Sequence, residues 1–227
     1  MLLTDRILFL DGEALVIDKP DGLPVDAPRD GSLSLENHLD SLRFGFKRWP
    51  LAVHRLDRDT SGCLLLARNP KAHGRFTRAF ENREVEKQYL AIIEGVPVEE
   101  RGTIDLPLAK VSTAERGWRM VGDAKGKAAI SHWEKLAEVD GRALLRFRPE
   151  TGRTHQLRVH ALEGLGFPIL ADPVYGRGGA KDRTLLHAER LVVQRGAKPP
   201  IVAEAPFPER FIAQGFTAPE GAAPSRG

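Results

Sequence analysis

His54-Arg55-Leu56-Asp57-Arg58-Asp59-Thr60-Ser61-Gly62 runs straight into Cys63-Leu64-Leu65-Leu66-Ala67. Five of the first nine residues are charged or titratable, and the next five are apolar. A charged loop that feeds a buried strand holds a polar side chain rigidly at a surface. Asp57 lies between Arg55 and Arg58 in sequence. Neighbouring positive charge favours the carboxylate anion, and an anionic carboxylate can serve as nucleophile, base or metal ligand. A loop of surface ion pairs is the competing reading of the same residues.

Upstream of this stretch, Ile7-Leu8-Phe9-Leu10 and Ala14-Leu15-Val16-Ile17 flank Asp11-Gly12 and predict two strands joined by a turn. Lys19-Pro20-Asp21-Gly22-Leu23-Pro24 interrupts regular structure. Ser34 is placed to cap a short helix with Leu35, Leu39 and Leu42 on one face. Downstream, Asn69-Pro70 is a helix start, an N-cap residue followed by proline at the first helical position. On that helix Ala72, Phe76, Ala79 and Phe80 share a face, and Lys71, Arg75 and Arg78 form a basic stripe beside it. The stripe reads equally well as a polyanion contact or as a solvated face.

Residues 86–94 predict a strand closed by Gly95. Residues from about 108 to 127 carry Lys110, Arg116, Arg119, Lys125 and Lys127 and are expected to form an irregular, mobile basic loop able to touch a ligand. Asp140-Gly141 between two alternating segments predicts a hairpin over 129–147. A second polar cluster, Thr151-Gly152-Arg153-Thr154-His155-Gln156-Leu157-Arg158-Val159-His160, leads into a helix expected to reach Leu165. Short strands are expected near Ile169, Leu185 and Val192 and over 201–205, with a last short helix after Phe207-Pro208 carrying Phe211 and Ile212. The expectation is one α+β domain over 1–216, dominated by antiparallel strands, and a flexible tail over 217–227.

The 227 residues are 41% hydrophobic and 29% charged, the balance of a globular protein with a sizeable core. A single cysteine excludes a disulfide framework within the chain and suits a reducing compartment, and the N-terminus lacks the pattern of a signal peptide, so a cytoplasmic location is expected. No apolar run approaches transmembrane length. The net charge of +3 permits a polyanionic partner without demanding one. The seven histidines show no metal-ligand spacing, and no phosphate loop, dinucleotide fingerprint or nucleophile elbow is present, so no metal and no cofactor are expected. The residues by themselves point to an Asp-centred enzyme acting without cofactor on a polyanionic or otherwise arginine-bound substrate.

His54 through Gly62 resembles the signature of the RluA family of RNA pseudouridine synthases. Three further stretches resemble that family in the right order: Ile17 through Val25, Lys87-Gln88-Tyr89-Leu90-Ala91, and Thr151 through His160 with Gly166, Pro168, Asp172, Tyr175 and Gly176 after it. The likeness spans about residues 6 to 214 and suggests a form without the small N-terminal S4-like RNA-binding domain of many relatives.

The resemblance implies a mixed, mainly antiparallel sheet split by a central cleft, with flanking helices. It implies isomerisation of specific uridines in rRNA or tRNA, with an RNA stem-loop as partner, no cofactor, no membrane, no obligatory protein partner and a monomeric state. Asp57 would be the nucleophile on a flipped-out uridine. Tyr89 would stack on the base and serve in a later proton removal, with a plain core tyrosine as the bland alternative. Arg153 would pair with Asp57. Arg55 would fill the gap left by the flipped base, Leu186 would line the pocket, and Lys71, Arg75 and Arg78 would meet phosphates. Arg158 is open between a phosphate contact, a surface ion pair and a catalytic role. Cys63 is expected to be a small buried hydrophobe, and His54, His155 and His160 are expected to hydrogen-bond the surrounding loops. An RNA-binding or RNA-folding module that has lost its chemistry is the alternative, and the joint presence of Asp57, Tyr89 and Arg153 argues against it. A hydrolase would need a second acid or base that is not in place.

Overall fold

Asp11 reverses the chain by accepting the backbone N–H groups of Glu13 and Ala14 on Oδ1, both at 2.8 Å. In the computed structural model, which describes all residues except 1, 29, 114, 116, 180 and 221–227, that turn joins β1 (Ile7–Leu10) to β2 (Ala14–Lys19). Then follow β3 (Leu51–Ala52), β4 (Ser61–Ala67), α1 (Pro70–Glu81) and β5 (Val85–Ile93). Next come β6 (Arg101–Asp105), β7 (Leu108–Thr113), β8 (Gly117–Gly122), β9 (Ile130–Val139) and β10 (Arg142–Pro149). The chain ends with α2 (Gln156–Val159), β11 (Leu186–Arg195), β12 (Lys198–Glu204) and α3 (Glu209–Ile212). Among the described residues no helix is long and apolar enough to cross a membrane.

The chain divides into two compact units, one built from residues up to Lys87 with His187–Phe207, the other from Gln88–Leu186 with Pro208–Glu220. In the first, β2 lies antiparallel along one edge of β4 from Ala14 opposite Ala67 to Lys19 opposite Gly62. The other edge is shared: β3 pairs antiparallel with Leu66 and Ala67, and β11 pairs parallel with Ser61 and Gly62. β12 then pairs with β11. Both β2 and β4 are buried almost throughout, as expected of strands covered on both faces. The Ser34 segment is a 3-10 helix over Leu35–Leu42 with Leu35, Leu39 and Leu42 buried. Asn69 caps α1 by accepting from Ala72 N–H at 2.9 Å, and Ala72, Phe76 and Ala79 are buried as the spacing predicts.

Gly62 is where the charged loop becomes strand. Its φ is +102°, and a Cβ there would stand 2.2 Å from the Ala188 carbonyl oxygen of β11. Only glycine allows both the backbone conformation and the close approach. Gly62→Ala is expected to cost on the order of 3 kcal/mol through strain and displacement of β11, read as a lower urea midpoint.

In the second unit β10 pairs antiparallel with β5 and β9, and β6 pairs with β9. Asp140 and Gly141 both have positive φ (49° and 73°), the conformation that a two-residue hairpin demands. The expected loop over 108–127 is instead regular: β7 and β8 form an antiparallel hairpin from Leu108 opposite Gly122 to Thr113 opposite Gly117. Its faces are mostly half-exposed, so the apolar alternation that marks a strand is weak there. Arg116, assigned to that loop from the sequence, lies outside the described residues. The helix expected through Leu165 is split into α2 and a wider π-type turn over His160–Gly164. The strands expected near Leu185 and Val192 are a single strand, β11, and Ile169 makes only an isolated bridge to Ile93.

Candidate active site

Two buried side chains pin the loop that carries Asp57. Leu56 and Thr60 point inward, Arg55 and Arg58 are exposed, and Asp57 is half-buried between them. Thr60 N–H donates to the Asp57 carbonyl at 3.1 Å, closing a turn directly before β4. His54 fastens the other end: Nε2 accepts from Leu65 N–H at 3.0 Å, and its ring stacks on Phe80 of α1 at 4.4 Å. Burial, reinforced by the Lys87 cation, pushes the His54 pKa down to about 3, so the ring is neutral and able to accept.

The two arginines that flank Asp57 in sequence have other contacts. Arg55 pairs with Asp26 at 2.8 Å, and Arg58 Nε donates to the Gly22 carbonyl at 3.3 Å. Beneath the loop sits Lys19, the last residue of β2, with no exposed surface. Its Nζ donates to the carbonyls of Pro20 (2.8 Å), Leu23 (2.8 Å) and Arg58 (3.0 Å). Three acceptors match the three hydrogens of an ammonium group. Burial lowers the Lys19 pKa to about 7, against the opposing fields of Asp21, Asp59, Asp57 and Asp18. Lys19 thus clamps the Pro20–Leu23 turn to the Asp57 turn and places positive charge close to the carboxylates. Sequence reasoning gave it no role. Its signals were a lysine placed after Asp18 at the end of an apolar run, just before Pro-Asp-Gly, and a position inside the Ile17–Val25 motif.

In the second unit Tyr89 lies opposite Phe147 in the β5–β10 ladder and packs on a cluster containing Ala91, Phe147, Leu157 and Leu186. Tyr89 and Leu186, both expected at the base, therefore share one apolar wall. Arg153 is half-buried in the loop before α2, its N–H on Gln156 Oε1 (2.9 Å) and its Nε on the Ala128 carbonyl (3.1 Å). Gln156 organises this loop: Oε1 also accepts from Thr151 Oγ1 (2.8 Å), and Nε2 donates to Ile130 O (3.0 Å) and Ser131 Oγ (2.9 Å). His160 engages Ser131 Oγ and Leu106 O through its two ring nitrogens, at 3.0 and 3.1 Å.

Arg158 is neither surface ion pair nor exposed phosphate donor. It is buried, with Nε and Nη2 on the two oxygens of the fully buried Asp172 at 2.6 and 2.8 Å. Asp172 Oδ1 also accepts Val174 and Tyr175 N–H, so the pair fixes the loop after α2. On α1, Lys71 and Arg78 are exposed, but Arg75 is drawn to Glu13 at 2.8 Å. Arg75, and then Lys198, hold the Glu13 carboxyl down to about 2. Arg75 thus ties the helix to the β1–β2 turn. Cys63 is buried between the Glu189 and Ala203 carbonyls, and burial pushes its thiol far up, which makes it an inert core residue. Among the described residues no cluster of three or more His, Cys, Asp or Glu could hold a metal ion.

Residues 13–163 match the sequence profile of the RNA pseudouridylate synthase family, and the chain belongs to that family, in its RluA form. It is an isomerase that converts uridine in RNA to pseudouridine. An uncharacterized RNA pseudouridine synthase of Zymomonas mobilis is 61% identical over 95% of this chain and 99% of its own length. The ribosomal large subunit pseudouridine synthase D of the same organism is 36% identical over 85% of this chain, which spans 62% of that relative. The structure of the human RNA pseudouridylate synthase domain containing 4 protein superposes with a TM-score of 0.77 at 26% identity, over 93% of this chain and 92% of that one. The fold is the pseudouridine synthase fold, a mixed and mostly antiparallel sheet with few helices.

Proposed function

We propose that this chain isomerises specific uridines in rRNA or tRNA, with Asp57 as the nucleophile on a uridine turned out of its helix. The observation that carries this reading is the mounting of Asp57: a half-buried carboxylate on a closed turn, pinned by Leu56, Thr60 and His54 and lying in the field of the buried Lys19 ammonium. A rigid anion of this kind is suited to nucleophilic attack. In the proposed reaction Asp57 bonds transiently to the uridine, the N1–C1′ bond breaks, the uracil rotates, a C5–C1′ bond forms, and the bond to Asp57 is broken again to return the free carboxylate. The C5 proton is lost to a base, the role given to Tyr89, and N1 ends protonated, so the mass is unchanged. Tyr89 offers the uracil a flat face with a polar tip. Arg153 is given the role of a cation at the reacting centre, Leu186 that of pocket wall, and Arg55, exposed on its loop, that of the plane that replaces the extruded base.

Ribosomal RNA is the first substrate to test, because a relative is named for the large ribosomal subunit. A reducing, cytoplasmic setting is part of the same proposal and agrees with the unpaired buried thiol of Cys63. Mapping pseudouridine in cellular RNA with and without the gene should show one or more sites that disappear on deletion. No lost site in any RNA would overturn the reading.

The exposed Lys71 and Arg78 are proposed to meet RNA phosphates, whereas Arg75, held by Glu13, serves the helix. RNA affinity should therefore fall steeply between low and moderate salt. Charge reversal at Lys71 or Arg78 should lower the log–log salt slope by about 1 each. Turnover of RNA already bound should change little. A slope unaffected by either substitution would remove these residues from the interface.

A further inference from the structure

The β7–β8 hairpin presents a tryptophan that the proposed reaction does not use. Trp118 is 49% exposed on β8. An exposed tryptophan alone means little, but this one is held from behind. It stacks on His155 with ring centroids 5.1 Å apart and planes 27° from parallel. His155 Nδ1 shares a 2.9 Å hydrogen bond with the Tyr175 hydroxyl, which also accepts Met120 N–H from β8 at 3.0 Å. The Arg158 guanidinium lies 5.0 Å from the Tyr175 ring and is locked by Asp172. The indole is therefore fixed before any ligand arrives, and little freedom is lost when something stacks on it.

One cation lies against it. Lys110 Nζ lies 5.2 Å from the Trp118 ring, and Lys125 and Lys127 are exposed on the return from the hairpin. A flat aromatic surface beside an exposed cation fits an unpaired nucleotide, with the base on the ring and the phosphate on the ammonium. A duplex keeps its base faces inside the stack and offers nothing to the indole. A protein partner would call for an apolar rim, whereas Lys110 beside the ring and Ser112, paired opposite Trp118, are polar and exposed.

We propose that Trp118 is a stacking platform for an unpaired RNA base outside the reacting uridine, with Lys110 meeting the adjoining phosphate. This rests on the isomerase reading above and adds a contact that selects RNAs with a single-stranded nucleotide at this hairpin.

The test uses the whole protein, wild type and with Trp118→Ala or Trp118→Phe, against a ten-nucleotide oligouridylate, a blunt RNA duplex of equal length, and heparin as a polyanion without bases. Trp118→Ala is expected to lose about 5- to 100-fold in affinity for oligouridylate, the range of one base–aromatic stack. Affinity for the duplex and heparin should be unchanged. Trp118→Phe should retain the affinity but abolish the fluorescence change that oligouridylate causes in wild type, which assigns the signal to this indole. Equal oligouridylate affinity in wild type and Trp118→Ala would overturn the platform, as would a loss shared with heparin or not restored by Phe. A wild-type protein that fails to bind oligouridylate would overturn it too. The isomerase reading is judged separately, by conversion of RNA from a gene-deletion strain by wild type against Asp57→Asn. The two failures are therefore distinguishable.

Discussion

Asp57→Asn is expected to bring uridine conversion below detection, a loss of at least about 10⁴-fold, while Asp59→Asn retains most of the activity. The amide keeps the size of the carboxylate and some of its hydrogen bonds but cannot act as an anionic nucleophile. The comparison is informative because both aspartates act on the same buried cation: Asp57 and Asp59 each help to keep Lys19 charged. Removing either charge disturbs Lys19 in a similar way, so a gap between the variants isolates the chemistry from the electrostatics of the loop. RNA binding should persist in Asp57→Asn, because most affinity comes from phosphate contacts. It should tighten slightly as a negative charge is removed. Circular dichroism should show both variants folded, since the buried Leu56 and Thr60 that pin the loop do not depend on either carboxylate. Near-normal conversion by Asp57→Asn, or equal failure of both variants, would remove Asp57 from its proposed role.

Arg158→Ala is expected to destabilise the protein by about 3 to 5 kcal/mol, because it leaves a buried carboxylate without its cation. Asp172 has no exposed surface and receives two guanidinium donors and two backbone N–H groups. Its carboxyl lies below the usual range: burial pushes the other way, but the Arg158 hydrogen bonds, the Arg158 charge and the Tyr175 and Val174 amides prevail. The sign of the pH dependence follows from that depression. The ionised pair contributes fully above the unfolded carboxylate pKa of about 3.9, and the contribution is lost as pH falls through the lower folded value. Asp172→Asn should therefore lower the urea midpoint at neutral pH and flatten its dependence below about pH 4. If Arg158→Ala keeps wild-type stability and loses RNA affinity instead, the side chain reaches RNA and the internal ion pair is not its main task.

Much of the framework was legible because it depends on neighbours in sequence. Asp11-Gly12 and Asp140-Gly141 turn the chain through their own backbone preferences and side-chain hydrogen bonds. Asn69-Pro70 starts α1 by the same kind of local rule. The β7–β8 hairpin was missed because its strands are half-exposed and rich in polar residues, so the period-2 signal that burial imposes is faint. The division of Leu185 and Val192 into separate strands failed because His187, Glu189 and Arg190 interrupt the apolar pattern. Of these, His187 and Glu189 are buried, which no local pattern announces.

The candidate site divides along the same line. Four ordered motifs in the sequence were enough to place the chain in its family, and they marked Asp57, Tyr89 and Arg153, because a run of residue types survives without knowledge of the fold. What each flanking charge does was decided only by tertiary structure. Arg55 turned to Asp26, Arg75 to Glu13, and Arg158 inward to Asp172, while Lys19, a motif residue given no role of its own, became the buried clamp beneath the loop. Whether a cation is solvated, paired or buried depends on segments far away in sequence: Arg75 lies 62 residues from Glu13, and Lys19 lies 39 residues from the Arg58 carbonyl it binds. Local composition names the charge, and only the packing of distant strands and turns supplies its partner.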